Sequence, residues 1–464
     1  MSFSKILIAN RGEIALRIAR TCRELGIETV AVYSTADRDA RFVAYADEAV
    51  HIGPAPAKRS YRYPPAIIEA ALRAGAEAIH PGYGFLSEDA DFARICTDHG
   101  LVFIGPSPEV MECVGDKARV RALLAAAGLP ILPGSDGPVA TPAEAEEVAE
   151  RIGYPVIVKA AAGGGGRGIE PAGDRAELRE VYRRTTALAR QVFGNGEVYL
   201  ERLVQAPRHV EVQFLADTHG TVLHLGDRDC SLQRRNQKLV EEAPSPLLPD
   251  RVRERLGEYA VVGARRVGYT GAGTMEFLLD AAGEITFMEI NARIQVEHPV
   301  TELLTGVDLV REQIRVAAGE PLGITQDQVA LTGTAIECRV NAEDPSAGFR
   351  PTPGRLTSYH PPGGPGVRVD SGFGQGDVIP PDYDSLLAKV IVWAPTREQA
   401  IVRADRALAE FAVEGPGVAT TIPLLRRLLA QPDFVAARHS TAFVDALTNE
   451  FNPMEKTSER PADH

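Results

Sequence analysis

Two short segments, Met275-Glu276-Phe277-Leu278-Leu279 and Thr286-Phe287-Met288-Glu289-Ile290-Asn291, each set one glutamate among apolar neighbours. A turn around Ala282-Gly283 separates them, so an antiparallel hairpin would bring Glu276 and Glu289 side by side. Asn291 lies two residues beyond Glu289, on the same strand face. Two adjacent carboxylates repel strongly unless divalent cations sit between them. Hard oxygen ligands with an amide suit Mg²⁺, which also keeps water and phosphate oxygens as ligands. The alternative is a pair of solvent-facing glutamates.

Directly afterwards comes Arg293-Ile294-Gln295-Val296-Glu297-His298-Pro299, with a cation, an amide and a carboxylate within five residues. A guanidinium fork fits a small planar oxyanion, and a neighbouring carboxylate can remove its proton. Upstream, the strand-like Tyr154-Pro155-Val156-Ile157-Val158-Lys159 runs into a glycine loop, Gly163 to Gly168, interrupted only by Arg167. Glycines let backbone N–H groups approach an anion closely, and Lys159 can place an ammonium on the same phosphates. No GK[ST] follows, so this is not a P-loop; a mobile flap over nucleotide phosphates is expected, against the alternative of a flexible linker. The run Asp229 to Glu242 carries Arg234, Arg235 and Lys238, and by default reads as a solvated charged loop.

The elements around these residues point to several domains. The chain has 464 residues, a length that suggests about three units. Its 44% hydrophobic and 24% charged content is that of a globular protein. The formal charge of −13 argues against broad binding to nucleic acid or anionic membrane, both of which need a basic face. Five widely spaced cysteines with no CxxC pair point to reduced thiols, and the absence of a secretory leader to a soluble, cytoplasmic protein. Up to about residue 115, strand-like runs (Ile6 to Ala9, Thr29 to Tyr33, Ala78 to His80, Val102 to Ile104) alternate with helical spacing. That rhythm predicts a parallel sheet covered by helices. The turn Asn10-Arg11-Gly12-Glu13 has one glycine where a dinucleotide fingerprint needs three. The expected units are 1–115, 116–333 with a mobile lid at about 131–204, 334–447, and a polar tail 448–464.

Seven motifs occur in order along the chain: HPGYGFLSE (80–88), GDK (115–117), the glycine loop, PRHVE (207–211), QRRNQK (233–238), RIQVEHPVTE (293–302) and ECRVNAEDP (337–345). Through them the sequence resembles the biotin carboxylase family over essentially its whole length. The resemblance implies a mixed α/β fold: an N-terminal Rossmann-like domain, an ATP-grasp core with a glycine-loop lid, and a C-terminal biotin carboxylase domain. It implies that Lys117, Lys159, His209, Gln233 and Asn236 contact ATP and that Gly165 and Gly166 cover its phosphates. Glu201, Arg202, Leu203 and Val204 would line the adenine, largely through backbone groups. Glu276, Glu289 and Asn291 would hold two Mg²⁺ or Mn²⁺ ions. Lys238, Arg293, Gln295 and the Val296 backbone would bind bicarbonate, Glu297 would be its base, and Arg339 would stabilise the biotin enolate.

By the same resemblance the chain is an ATP-dependent ligase that carboxylates biotin on a carrier protein through carboxyphosphate. It would act with a separate carboxyltransferase subunit in an acetyl-CoA or other acyl-CoA carboxylase, a fatty-acid biosynthesis enzyme, and form a homodimer. Two alternatives are another carboxyphosphate-forming ligase, against which ECRVNAEDP argues, and an inactive ATP-binding regulatory subunit. Asn236 stands where many relatives carry histidine. Ile169-Glu170-Pro171 replaces a segment that usually holds Met-Arg or Met-Lys, so Glu170 reverses a charge near the nucleotide. Ala292 and Arg202 are milder departures, for threonine and lysine.

Overall fold

The computed structural model describes residues 3–161 and 168–451. Five short strands open the chain: β1 (Lys5–Ile8), β2 (Glu28–Ser34), β3 (Glu48–Gly53), β4 (Ala78–His80) and β5 (Val102–Phe103). They pair in the order β3-β2-β1-β4-β5, every neighbour parallel, as the strand–helix rhythm predicts. The helix Gly12–Glu24 follows β1, with its apolar stripe of Ile14, Ile18 and Cys22 buried against the sheet.

A small three-stranded antiparallel sheet, ordered β7-β6-β8, is formed by β6 (Val156–Ala160), β7 (Ile169–Ala172) and β8 (Val198–Arg202). The helices Pro142–Ile152 and Arg175–Phe193 cover it and enclose a separate core of Ala145, Ala149, Val156, Val158, Leu178 and Val181. Gly163 to Arg167, with Gly165 and Gly166 among them, lie outside the described residues, as does most of the polar tail.

The site rests on an eight-stranded sheet. Its first five members are β9 (Arg208–Ala216), β10 (Val222–Arg234), β11 (Gln237–Ala243), β12 (Gly271–Leu279) and β13 (Ile285–Asn291). Next come β14 (Thr334–Asn341) and the strands Leu386–Ala394 and Val367–Ser371. The order runs β13-β12-β9-β10-β11-β14 and then to those two strands, so hydrogen bonding crosses from β11 to β14 without a break. Past the unit boundary that the sequence suggests at 334, β14 extends the same sheet by pairing antiparallel with β11. The hairpin β10–β11 turns at Arg235 and Asn236, at φ 47 and φ 65 between the paired Arg234 and Gln237. Asparagine tolerates that left-handed backbone, which the right-handed twist of a two-residue hairpin demands. The stretch that reads as a solvated loop is therefore two strands. Charged residues inside it, Asp229, Glu241 and Glu242, are buried.

Candidate active site

One row of charged residues crosses four strands on a single face of the large sheet. Arg228 on β10 lies opposite Glu211 on β9, Glu211 opposite Glu276 on β12, and Glu276 opposite Glu289 on β13. The hairpin read from the sequence thus places the two glutamates in direct register. Side chains directly opposite in a sheet have Cβ atoms about 5 Å apart, close enough for their carboxylates to share ligands. Asn291 joins them: its Nδ2 donates to Glu276 Oε1 (2.8 Å). Glu276 is buried, while a third of the Glu289 side chain is open to solvent and faces Lys117 Nζ at 3.4 Å.

Lys238 is the cationic hub. Its ammonium donates to Glu211 (2.7 Å), Glu297 (2.6 Å) and Glu276 (3.3 Å). Burial would lower its pKa, but these three carboxylates outweigh burial and raise it well above the usual lysine value. Burial alone would raise Glu276, yet Lys238 and His209 hold it well below the usual range, with His209 Nε2 2.9 Å away. In the same way Lys238, Arg339 and Arg228 overcome burial at Glu297 and keep it ionised. Arg339 reaches Glu297 from β14: its Nη2 donates to Glu297 Oε2 (2.9 Å) and its Nε to Glu241 Oε1 (2.6 Å).

Arg293 hangs over the open edge of this cluster. Its Nε donates to Glu88 (3.1 Å), and its Nη2 to Asn291 Oδ1 (3.3 Å). Gln295 is fixed at both ends, accepting from Arg228 Nη2 (2.7 Å) and donating to Glu276 Oε1 (2.9 Å). The Val296 carbonyl accepts from the fully buried Lys389 (2.9 Å), which fixes that peptide plane. Arg293, Gln295, Val296, Glu297 and Lys238 therefore converge beside Glu276 and Glu289. Oxygen atoms from two carboxylates and an amide, on a face that opens at Glu289, fit a hard divalent cation with positions left for water and phosphate. A different cluster, His209, Glu211 and Glu276, brings its ligand atoms within 4.8 Å of one another. Glu276 raises the proton affinity of His209, which makes the imidazole a poor metal ligand.

The nucleotide residues lie on neighbouring elements. Lys117 starts the helix Lys117–Ala126, which Asp116 caps by accepting from Arg119 N (3.0 Å). Lys159 on β6 and Arg121 both bond the buried Glu201 on β8. The Arg202 and Leu203 N–H groups donate to Pro133 O (2.8 Å) and Pro155 O (2.9 Å), which ties the Glu201–Val204 segment down. Gln233 is buried on β10 opposite Lys238, whereas Asn236 sits at the exposed tip of the turn.

Comparison with known proteins shows the family of the chain. The family pattern described as the biotin carboxylase N-terminal domain matches residues 2–111, and that of the biotin carboxylase C-terminal domain matches 337–446. Between them, the ATP-binding domain of the carbamoyl-phosphate synthase L chain matches residues 116–325. A biotin carboxylase of Nostoc sp. is 56% identical over 447 residues, which is 96% of this chain and 100% of the relative. The chain belongs to the biotin carboxylase family. It is an ATP-dependent ligase of mixed α/β fold, with the parallel N-terminal sheet, ATP-grasp domain and C-terminal domain of that family. A pyruvate carboxylase subunit of Methanothermobacter thermautotrophicus is 52% identical over 443 residues, 96% of this chain and 90% of that one. A solved structure of similar shape is the biotin carboxylase domain dimer of Hydrogenobacter thermophilus 2-oxoglutarate carboxylase, in complex with MgADP, ADP and bicarbonate. It superposes with a TM-score of 0.93 at 48% identity and covers 97% of this chain and 99% of its own.

Within this biotin carboxylase fold the charge-reversing departure, Glu170, has a local partner. Glu170 sits on β7 and accepts from Arg184 Nε (2.7 Å), so its charge is balanced within the small sheet and its covering helix. Several residues of the cluster carry no role in the sequence reading: Glu88, Glu211, Arg228, Glu241 and Lys389. Glu88 and Glu211 end two of the quoted motifs, HPGYGFLSE and PRHVE, so a signal was present. Arg228 is the bulkiest fully buried side chain among the described residues and donates to Glu211, Gln213, Thr301, Thr274 and Gln295. Only the sheet register reveals that it supports the site.

Proposed function

We propose that this chain uses MgATP and bicarbonate to carboxylate biotin borne on a separate carrier protein. The observation that carries the reading is the direct register of Glu276 and Glu289, with Arg293 tied to Asn291 beside them. In this reading Arg293, Gln295, Lys238 and the Val296 backbone bind bicarbonate, and Lys117, Lys159 and His209 contact ATP. Divalent ions held by Glu276, Glu289 and Asn291 would neutralise charge on the transferring phosphoryl group.

Glu297 takes the bicarbonate proton while a bicarbonate oxygen attacks the γ-phosphorus. The bond to the β-phosphate oxygen breaks, giving carboxyphosphate and ADP. Glu297 is held strongly ionised, so this transfer runs uphill unless the cations on Glu297 turn towards the new dianion. Lys238 and Arg339 already touch Glu297 and are placed to make that exchange. Carboxyphosphate then gives CO₂ and phosphate, the phosphate takes the N1′ proton of biotin, and N1′ bonds to CO₂. Arg339 carries the developing charge on the ureido oxygen. A closed site matters because water would destroy the intermediate.

The chain is proposed to work as a homodimer in the cytoplasm, where its five buried free cysteines would stay reduced. It would supply an acyl-CoA carboxylase, such as one acting on acetyl-CoA, as a subunit beside the carrier and carboxyltransferase. The test is ATP turnover with and without bicarbonate and free biotin. Turnover that needs bicarbonate and yields carboxybiotin is expected; bicarbonate-dependent turnover that never yields carboxybiotin would favour another carboxyphosphate ligase. Arg339→Ala should lower carboxybiotin formation at least tenfold more than ATP cleavage, and equal losses would refute its role.

A further inference from the structure

Behind Arg339, on the same sheet face, lie two carboxyl groups with no assigned role. Glu241 on β11 is the direct cross-strand partner of Glu337 on β14, and Arg339 follows Glu337 by two residues, which keeps it on that face. Both glutamates have zero exposure. Glu241 Oε1 accepts from Arg339 Nε, but Glu241 Oε2 and both oxygens of Glu337 are buried without a hydrogen-bond partner. A buried carboxylate lacking any donor is strongly disfavoured, and like charges directly opposite in a sheet repel. Two ionised groups here would also cancel the positive field of Arg339 towards the substrate side.

We propose that at mildly alkaline pH Glu241 and Glu337 together hold a single proton, carried by Glu337, and that Glu241 is then the ionised anchor that positions Arg339. The role of Arg339 in the reaction rests on the function proposed above; the proton count does not. The groups that face the pair are consistent with this distribution. Arg339, Lys238 and Glu297 face Glu241; Lys389, Arg339 and Glu297 face Glu337. His298, on the helix packed over these strands, is held neutral by burial together with Lys389, and the buried thiols of Cys230 and Cys338 stay protonated. Glu242 pairs with Arg397, whose helix covers the other side of β14. Burial pushes Glu241 up to about 7 in spite of Arg339, and burial with Glu241 nearby pushes Glu337 well above the usual range. Glu241 is therefore the member that titrates: it protonates as pH falls through about 7 and then gives up its grip on the Arg339 guanidinium.

The experiment is infrared spectroscopy of the full-length protein with its glutamates ¹³C-labelled at the side-chain carboxyl. At pH 8.5 a protonated-carboxyl band is expected in the wild type and absent in Glu337→Gln. As pH falls through about 7, a second band should grow in the wild type and in Glu337→Gln but not in Glu241→Gln. A wild-type spectrum with no glutamic acid band at pH 8.5 would overturn the proposal, and that measurement needs no variant to fold. The functional arm is the ratio of carboxybiotin formed to ATP cleaved. It should fall with a midpoint near 7 in the wild type and be flat with pH in Glu241→Gln. A wild-type pH profile in Glu241→Gln would remove Glu241 as the anchor. Loss of all bicarbonate-dependent turnover in the wild type would instead sink the proposed function and leave the band count standing.

Discussion

Glu297→Gln separates the chemistry of the site from its stability. The substitution keeps the side-chain shape and removes one charge. Lys238 would keep Glu211 at 2.7 Å and Glu276 at 3.3 Å, and Arg339 would keep Glu241 at 2.6 Å. Breaking a buried ion pair costs about 3–5 kcal/mol when the partner is orphaned. Neither cation is orphaned here, and the glutamine oxygen still accepts one hydrogen bond, so the expected loss is about 1–3 kcal/mol. A positioned general base contributes roughly 10²–10⁴ in rate. Bicarbonate-dependent ATP cleavage should therefore fall at least 100-fold, about 2.7 kcal/mol in barrier, while ATP affinity stays within about threefold. Steady-state ATP turnover and equilibrium nucleotide binding on the same preparation test this. Turnover within tenfold of the wild type would refute Glu297 as the base. The pH dependence adds a check. The folded carboxyl of Glu297 lies well below its unfolded value, so its stabilisation is present above the unfolded pKa and lost as pH falls through the folded one. The stability gap between wild type and Glu297→Gln should thus be full at pH 7, begin to shrink as pH falls below the ordinary glutamate value of about 4.3, and close only once the folded carboxyl itself protonates.

Other consequences are narrower. Arg228→Met leaves Gln213, Thr274, Thr301 and Gln295 without their donor and should cost about 3–5 kcal/mol in denaturant unfolding, with bicarbonate-dependent turnover falling in parallel. Glu289→Gln should weaken Mn²⁺ binding in the presence of a non-hydrolysable ATP analogue at least tenfold, about 1.4 kcal/mol, as read by electron paramagnetic resonance. Asn236→Ala, in the left-handed backbone of the β10–β11 turn, should cost about 1 kcal/mol of stability, whereas Asn236→Gly should cost nothing measurable by the same unfolding assay.

How much of this was legible depends on where the information lies along the chain. The Glu276–Glu289 pair was readable because the two strands are joined by one short turn, although a register shift between Glu276 and Phe277, which the sequence does not announce, is what sets the glutamates directly opposite. The parallel sheet was readable for a similar reason, since each strand is followed by its own amphipathic helix. The Arg228–Glu211 pair was not readable. A charged residue in mid-strand looks like a solvent-facing position until a second strand supplies the opposite charge. Arg339 and Glu241 are 98 residues apart, and only the β11–β14 pairing brings them together. The charged run Asp229 to Glu242 misled for the same reason: the partners that allow it to be buried come from elsewhere.

The resting site is already neutralised from within, and this shapes what substrates must do. Lys238 has three carboxylate partners, Glu297 has two cations, and Gln295 is held at both ends. An incoming anion therefore exchanges partners with groups that are already paired, so its net gain is far smaller than the sum of its new contacts. Discrimination then rests on geometry: an anion that fails to match the Arg293 fork leaves a buried carboxylate or cation without its partner. Arg228 and Lys389 fix the two neighbours of that fork, the Gln295 amide and the Val296 carbonyl, from fully buried positions. Selectivity for a one-carbon planar anion is thus expected to depend on residues that never touch it.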